Sequence, residues 1–216
     1  MRKGTGGGTG EANRRASRRA EYAEATRRAV IDEARRLFSE KGYFATKVDD
    51  IAVAARVSPA TVYVIGGKQG LLRILVDQWS VAPEVEKTQQ QLTESEDGAE
   101  ILQVVAGITR RMREDYGDIM RVVLTTAPHD ATAAEGLAVA TRRYRDGTAI
   151  AARRLAELNV LRDGVDAAEA LDILWFYFGY AGFFTLVDDN GWSYARAEQW
   201  LLDAARRALL RPQSGN

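Results

Sequence analysis

Apolar residues along this 216-residue chain recur every three or four positions, the period of an α-helix. Val48, Ile51, Ala52 and Ala55 stand at i, i+3, i+4 and i+7, and Ile101, Val104, Val105, Ile108 and Met112 repeat that spacing further on. No strand-like alternation with hairpin turns interrupts the pattern, so the chain is expected to be all-α. Beyond the first quarter, spacing and breakers predict helices over Lys68 to about Ala82, Pro83 to about Glu94, Ala99 to Tyr116, Asp118 to Ala127, Thr132 to Leu161, Asp166 to about Asp188 and Ser193 to Leu210.

Residues 46–68, TKVDDIAVAARVSPATVYVIGGK, are the most informative stretch. Thr46 with Asp49 three residues on has the form of a capping box. The helix it opens carries the Val48-Ile51-Ala52-Ala55 face, and Ala55-Arg56-Val57 forms a turn. Ser58 is a good N-cap, and Pro59 sits at the first helical position, where its missing N–H costs nothing. The second helix, Pro59 to about Ile65, turns Val62 inward and leaves Ala60, Thr61 and Tyr63 outside. Two short helices with a small, hydroxylic leading end are the form of a DNA-reading unit.

The surrounding residues make this specific. Ala34, Leu37, Phe38, Gly42 and Tyr43 spell A-x-x-L-F-x-x-x-G-Y; Asp50-Ile51-Ala52, then Val57, Ser58, Thr61 and Tyr63, then Lys68 before Leu71-Leu72 follow in order. Over roughly Arg27 to Leu75 the chain resembles the TetR family of transcriptional repressors. The resemblance implies an N-terminal three-helix helix-turn-helix domain, then a larger C-terminal helical domain for ligand binding and dimerisation. It places a flexible basic arm over residues 1–22, the DNA-binding domain over 23–82 with the motif at about 47–66, and the C-terminal domain over 83–216. It implies DNA contacts by Thr46, Lys47, Ser58, Ala60, Thr61, Tyr63 and Lys68. Two departures carry expectations. Arg56 occupies a turn position that usually holds glycine because positive φ is needed there. Tyr63-Val64-Ile65-Gly66-Gly67-Lys68 is one residue shorter than the family pattern and lacks its phenylalanine. Ile65 is expected to fill that hole, with the glycines turning the chain.

Charge supports the division. The 30 Lys+Arg balance the 30 Asp+Glu overall, yet residues 1–76 carry 15 basic against 8 acidic residues and the remainder 15 against 22. A basic N-terminal part is drawn to phosphate and an acidic remainder is kept off it. Met1 to Gly10 is glycine-rich, and Arg14, Arg15, Arg18 and Arg19 follow, so an irregular arm is expected, following a DNA groove or merely solvated. The bias of 25 arginines to 5 lysines is of the kind GC-rich genomes produce.

The C-terminal helices carry two further expectations. Ala197, Leu201, Ala204, Ala205 and Ala208 line one side of the last helix, and Ala170, Leu174, Phe178, Gly179, Ala181 and Gly182 the one before it. In the family the corresponding pair forms a four-helix bundle with its symmetry mate; an intramolecular core is the alternative. A two-fold dimer sets two recognition helices about 34–36 Å apart, which calls for a palindromic operator. Met112, Tyr116, Arg121, His129, Tyr144, Trp175, Phe176 and Tyr180 are the candidates for a small-molecule pocket, core packing being the plainer reading of the aromatics.

Catalytic chemistry finds no footing. The chain has no cysteine and one histidine, no Gly-x-Ser-x-Gly elbow and no phosphate-cradling loop, so no catalytic or metal-ligating residue and no cofactor is expected. The longest uncharged stretch, Ile173 to Val187, falls short of the roughly 20 residues that span a bilayer, and the N-terminus lacks an apolar signal core. A cytoplasmic, ligand-responsive repressor is expected, acting as a homodimer on double-stranded DNA. The alternative is a helical small-molecule-binding or scaffold protein that has lost DNA affinity.

Overall fold

The computed structural model describes residues 8–80 and 85–212, apart from the side chains at 8–14, 16 and 85–87. Ten α-helices are described: α1 (Gly8–Lys41), α2 (Val48–Ala54), α3 (Pro59–Ile65), α4 (Gly67–Ser80), α5 (Val85–Glu94), α6 (Gly98–Thr126), α7 (Ala131–Glu157), α8 (Ala167–Phe178), α9 (Tyr180–Phe184) and α10 (Tyr194–Leu209). A 3₁₀ turn (Ala127–His129) joins α6 to α7, and a π-turn (Thr185–Asp189) follows α9. Asp97, Asp130, Asp166 and Ser193 cap α6, α7, α8 and α10, each accepting a first-turn N–H.

Three boundaries differ from the sequence expectation. Helix α1 is described from Gly8 onward, so the expected irregular arm is helical over its described part; residues 1–7 lie outside the described residues. Pairs one turn apart support its exposed length, including Ser17–Glu21, Arg28–Glu24 and Arg36–Glu40. Helix α6 runs straight through Gly117, where the sequence pattern predicts a break. There the missing side chain makes room for Arg121, Tyr194 and Phe184. The aromatic helix expected as one piece breaks at Gly179, whose backbone is extended (φ −65°, ψ −173°). A Cβ at Gly179 would lie 2.4 Å from the Trp175 carbonyl oxygen, so no other residue fits there unshifted.

Two apolar clusters form the core. The first joins Val30, Ala34 and Phe38 of α1, Ile51 of α2, Val62 of α3 and Leu71, Leu75 and Trp79 of α4 to Ile119, Met120 and Val123 of α6, Ala140 of α7 and Tyr180 of α9. The expected boundary at residue 82 therefore does not divide the core. The second cluster collects Leu92, Ile101, Leu102, Leu155, Leu174, Phe178, Phe183, Leu201 and Leu209. Outside the apolar contacts, Arg35 of α1 grips Asp118 of α6 with Nε and Nη2, both at 2.7 Å. Burial pushes the Asp118 carboxyl up, but hydrogen bonds from Arg35, the Ile119 N–H and Ser39 outweigh it and hold it below the usual carboxylate range.

Among the described residues, one stretch, Ala167–Asp189, is long and apolar enough to cross a membrane by length and composition. Here it is broken at Gly179, and Ala170, Leu174, Phe178, Phe183 and Leu186 are buried in the second cluster.

Candidate nucleic-acid interface

Helices α2 and α3 are held as a unit by the turn between them. Arg56 adopts positive φ (56°), the conformation glycine would take more cheaply, and the Val57 N–H returns to the Ala52 carbonyl at 2.9 Å. Ser58 caps α3, its Oγ accepting from the Thr61 N–H at 3.2 Å and lying 3.0 Å from the Thr61 hydroxyl. Val62 is fully buried, which fixes the rotation of α3 and turns its other side outward. The shortened segment after Tyr63 behaves as expected. Ile65 packs on the first cluster, and Gly66 and Gly67 both take positive φ (127° and 60°) to start α4 at once.

The expected DNA-contacting residues divide into two sets. Lys47, Ser58, Ala60 and Tyr63 are exposed, with Tyr63 at 65%, and Thr61 is partly so. Thr46 and Lys68 are corrected. Thr46 is buried and donates its hydroxyl to the Gly42 carbonyl at 2.8 Å, tying the α1–α2 corner; the capping carboxylate is Asp50, which accepts from the Lys47 N–H at 3.1 Å. Lys68 spends two of its three ammonium protons on the Tyr43 and Thr46 carbonyls at 2.8 and 3.1 Å, and its Nζ lies 4.3 Å from the Tyr43 ring centroid. Burial lowers its pKa, countered in part by Asp130. Lys68 is a clamp between α4 and the α1–α2 corner. Val64, 87% exposed beside Tyr63, and exposed Phe44 and Arg56 share this domain's surface and were not among the expected contacts. An apolar side chain outside the i, i+3, i+4 stripe, as Val64 is, was the available signal.

The expected ligand residues also separate. Tyr144, Trp175 and Tyr180 converge, with ring centroids 5.4 to 6.2 Å apart, and Met112 packs against the same cluster. Tyr116 instead lies beside Arg35, and Arg121 pairs with Asp188 at 2.6 and 2.5 Å over the Phe184 ring. His129 sits at the junction with the DNA-binding domain, its ring 6.5 Å from that of Phe44, and Phe176 points outward. At the centre of the convergent group stands a residue sequence reasoning passed over, Arg113, only 1% exposed. Its Nη2 donates to the Phe178 and Gly179 carbonyls, both at 3.0 Å. The Tyr144 hydroxyl donates to the same Phe178 oxygen at 2.8 Å and lies 2.8 Å from the Thr109 hydroxyl. Its register on α6, with Leu102, Val105, Ala106, Thr109, Gly117 and Met120 on the buried stripe, was the signal for it. An open cleft of about 800 Å³ lies elsewhere, between α5, α6 and α10.

Most of the assembly residues are corrected too, although Ala181 is exposed and Gly182 and Ala208 are half-buried. Ala170, Leu174, Phe178, Ala197, Leu201, Ala204 and Ala205 are buried within the protomer. What α8 and α10 present outward is Phe176, Trp200 and a shallow groove bordered by Ile173, Tyr177 and Ala208.

An exposed, rigidly seated recognition helix carried by a larger all-α body defines a helix-turn-helix DNA-binding protein. Residues 30–73 match the family model described as "Bacterial regulatory proteins, tetR family", and this match supports a DNA-binding transcriptional regulator. Solved structures share the whole fold. NalD, the secondary repressor of the MexAB-OprM multidrug efflux pump in Pseudomonas aeruginosa, superposes with a TM-score of 0.72 at 20% identity over 88% of this chain and 98% of its own. A Saccharomonospora viridis protein in complex with choline gives 0.69 at 22%, over 88% and 100%. The TetR family transcriptional regulator PfmR from Thermus thermophilus gives 0.64 at 23%, over 86% and 96%. No curated protein matches.

Proposed function

We propose that the protein is a cytoplasmic, ligand-responsive repressor that binds a near-palindromic operator as a homodimer. The observation that carries this reading is the continuity of the first core cluster, which runs from the recognition helix through α4 to the aromatic interior of the C-terminal body. A molecule seated among Tyr144, Trp175 and Tyr180 pushes on Trp79 of α4, whose ring lies 5.5 Å from that of Tyr180. Lys68 at the other end of α4 passes the movement to the α1–α2 corner. Ligand and DNA then weaken each other by the same factor, as linkage requires. The outward faces of α8 and α10 supply the dimer contact, and the exposed basic part of α1 adds phosphate contacts.

The operator is found by selecting bound sequences from random duplexes, and affinity is then followed by fluorescence anisotropy. Tyr63→Ala removes an exposed ring from the leading helix and is expected to weaken operator binding about tenfold or more, with the circular dichroism spectrum unchanged. Undiminished binding would refute this docking. Absence of preference for any duplex at low salt favours the alternative, a helical binding protein without DNA affinity.

A further inference from the structure

Arg113 is a buried cation with no carboxylate partner among the described residues. No acidic oxygen of the described residues lies within salt-bridge distance of it, and its Nε has no hydrogen-bond partner among them. What surrounds the guanidinium is aromatic and neutral: the Tyr144, Tyr180 and Phe183 rings stand 5.4, 5.7 and 5.7 Å away, and the Phe178 and Gly179 carbonyls take both Nη2 protons. Buried charges are ordinarily paired, and an orphaned buried donor is rare enough to call for a partner. Here the carbonyls that close α8 offset part of the charge, as the negative end of a helix does.

We infer that this interior is a receptor for an aromatic carboxylate, with Arg113 as its anion-binding residue. The inference rests on the ligand-responsive reading above and names the chemistry of that ligand. A carboxylate matches the planar edge of a guanidinium through two parallel N–H···O bonds. The edge in question is Nε with Nη2. Nε is without a partner, whereas Nη2 is committed to the α8–α9 break. A bridging carboxylate must therefore displace the Phe178 or Gly179 carbonyl from one of the Nη2 N–H groups. The aromatic body of the ligand replaces ring–ring contacts among Tyr144, Trp175 and Tyr180 with its own. Loosening the break at Gly179 shifts Tyr180 at the start of α9, and with it the contact to Trp79 on α4. Recognition and signalling thus use the same two carbonyls.

The test needs only the full-length protein and charge-matched probes. Benzoate, phenylacetate and 1-naphthoate are titrated by calorimetry beside the corresponding amides and the ammonium analogues benzylammonium and 1-naphthylmethylammonium. At least one carboxylate is expected to bind about tenfold or more tightly than its own amide, and to release operator DNA in the anisotropy assay. Arg113→Gln should erase the difference between acid and amide, and Arg113→Lys should keep part of it; circular dichroism reports whether each variant folds. A purely structural Arg113 would not make the wild-type protein distinguish acid from amide, so the result stands even where a variant fails to fold. The inference is overturned if acids and amides bind alike, if the ammonium probes bind best, or if no probe binds. A neutral or cationic probe that releases DNA would overturn the anion assignment alone and leave the ligand-responsive reading in place.

Discussion

At residue scale, the DNA-binding domain depends on a few positions whose backbone or burial leaves no choice. Gly66 combines φ of 127° with a Cβ position 2.9 Å from the Gly70 Cα, so both conformation and space exclude a side chain. Gly66→Ala is expected to cost about 1–3 kcal/mol and to lower the thermal midpoint, read by differential scanning calorimetry. DNA affinity should fall with it, because the same turn seats Ile65 and the end of α3. Thr46 and Lys68 have a different lesson. Both residue types suit phosphate contacts, yet here hydroxyl and ammonium close the α1–α2 corner onto backbone carbonyls. A sequence reports that a polar group exists; only the fold says which acceptors compete for it.

At the scale of elements, α1 joins two roles along its 34 residues. Its second half buries Val30, Ile31, Ala34, Leu37 and Phe38, while the described side chains before Val30 are almost all exposed and include Arg15, Arg18, Arg19, Arg27 and Arg28. Deleting residues 2–19 removes four arginines from this rod. Where all four meet phosphates, the slope of log K against log salt should drop by about 3 to 4. An unchanged slope would show that the rod stays clear of DNA. Helices α1 and α6 are also linked by Arg35 and Asp118. Since the Asp118 carboxyl is held below its ordinary value, its contribution is present above about pH 3.9 and fades as pH falls through the lower, folded value. Exposure of the pair keeps the effect to about 1 kcal/mol or less. The gap in thermal midpoint between wild type and Asp118→Asn should accordingly be open at neutral pH and close towards strong acid.

For the whole molecule, the question is how two recognition helices come to face one duplex. The buried small residues of α8 and α10 hold the protomer together, so the proposed dimer contact falls to the outer residues. Phe176 at 74% exposure is the largest of these on α8. Phe176→Glu is expected to shift sedimentation towards monomer and weaken operator binding, leaving the far-ultraviolet spectrum intact. A dimer that persists at micromolar concentration would move the interface elsewhere.

The family of the first domain and the all-α class were legible in residues 27–75 and in the helical period of the rest, because both are written in local spacing and capping. The turn at Arg56 and the short exit through Gly66-Gly67 were legible for the same reason. Long-range packing decided the remainder. It made α6 one helix through Gly117, split the aromatic helix at Gly179, ran one core across the expected domain boundary, and turned most of the predicted dimer residues inward. It also placed Arg113 against the end of α8, 65 residues away in sequence. Local pattern sets which elements form; which buried charge meets which carbonyl is fixed only once those elements pack.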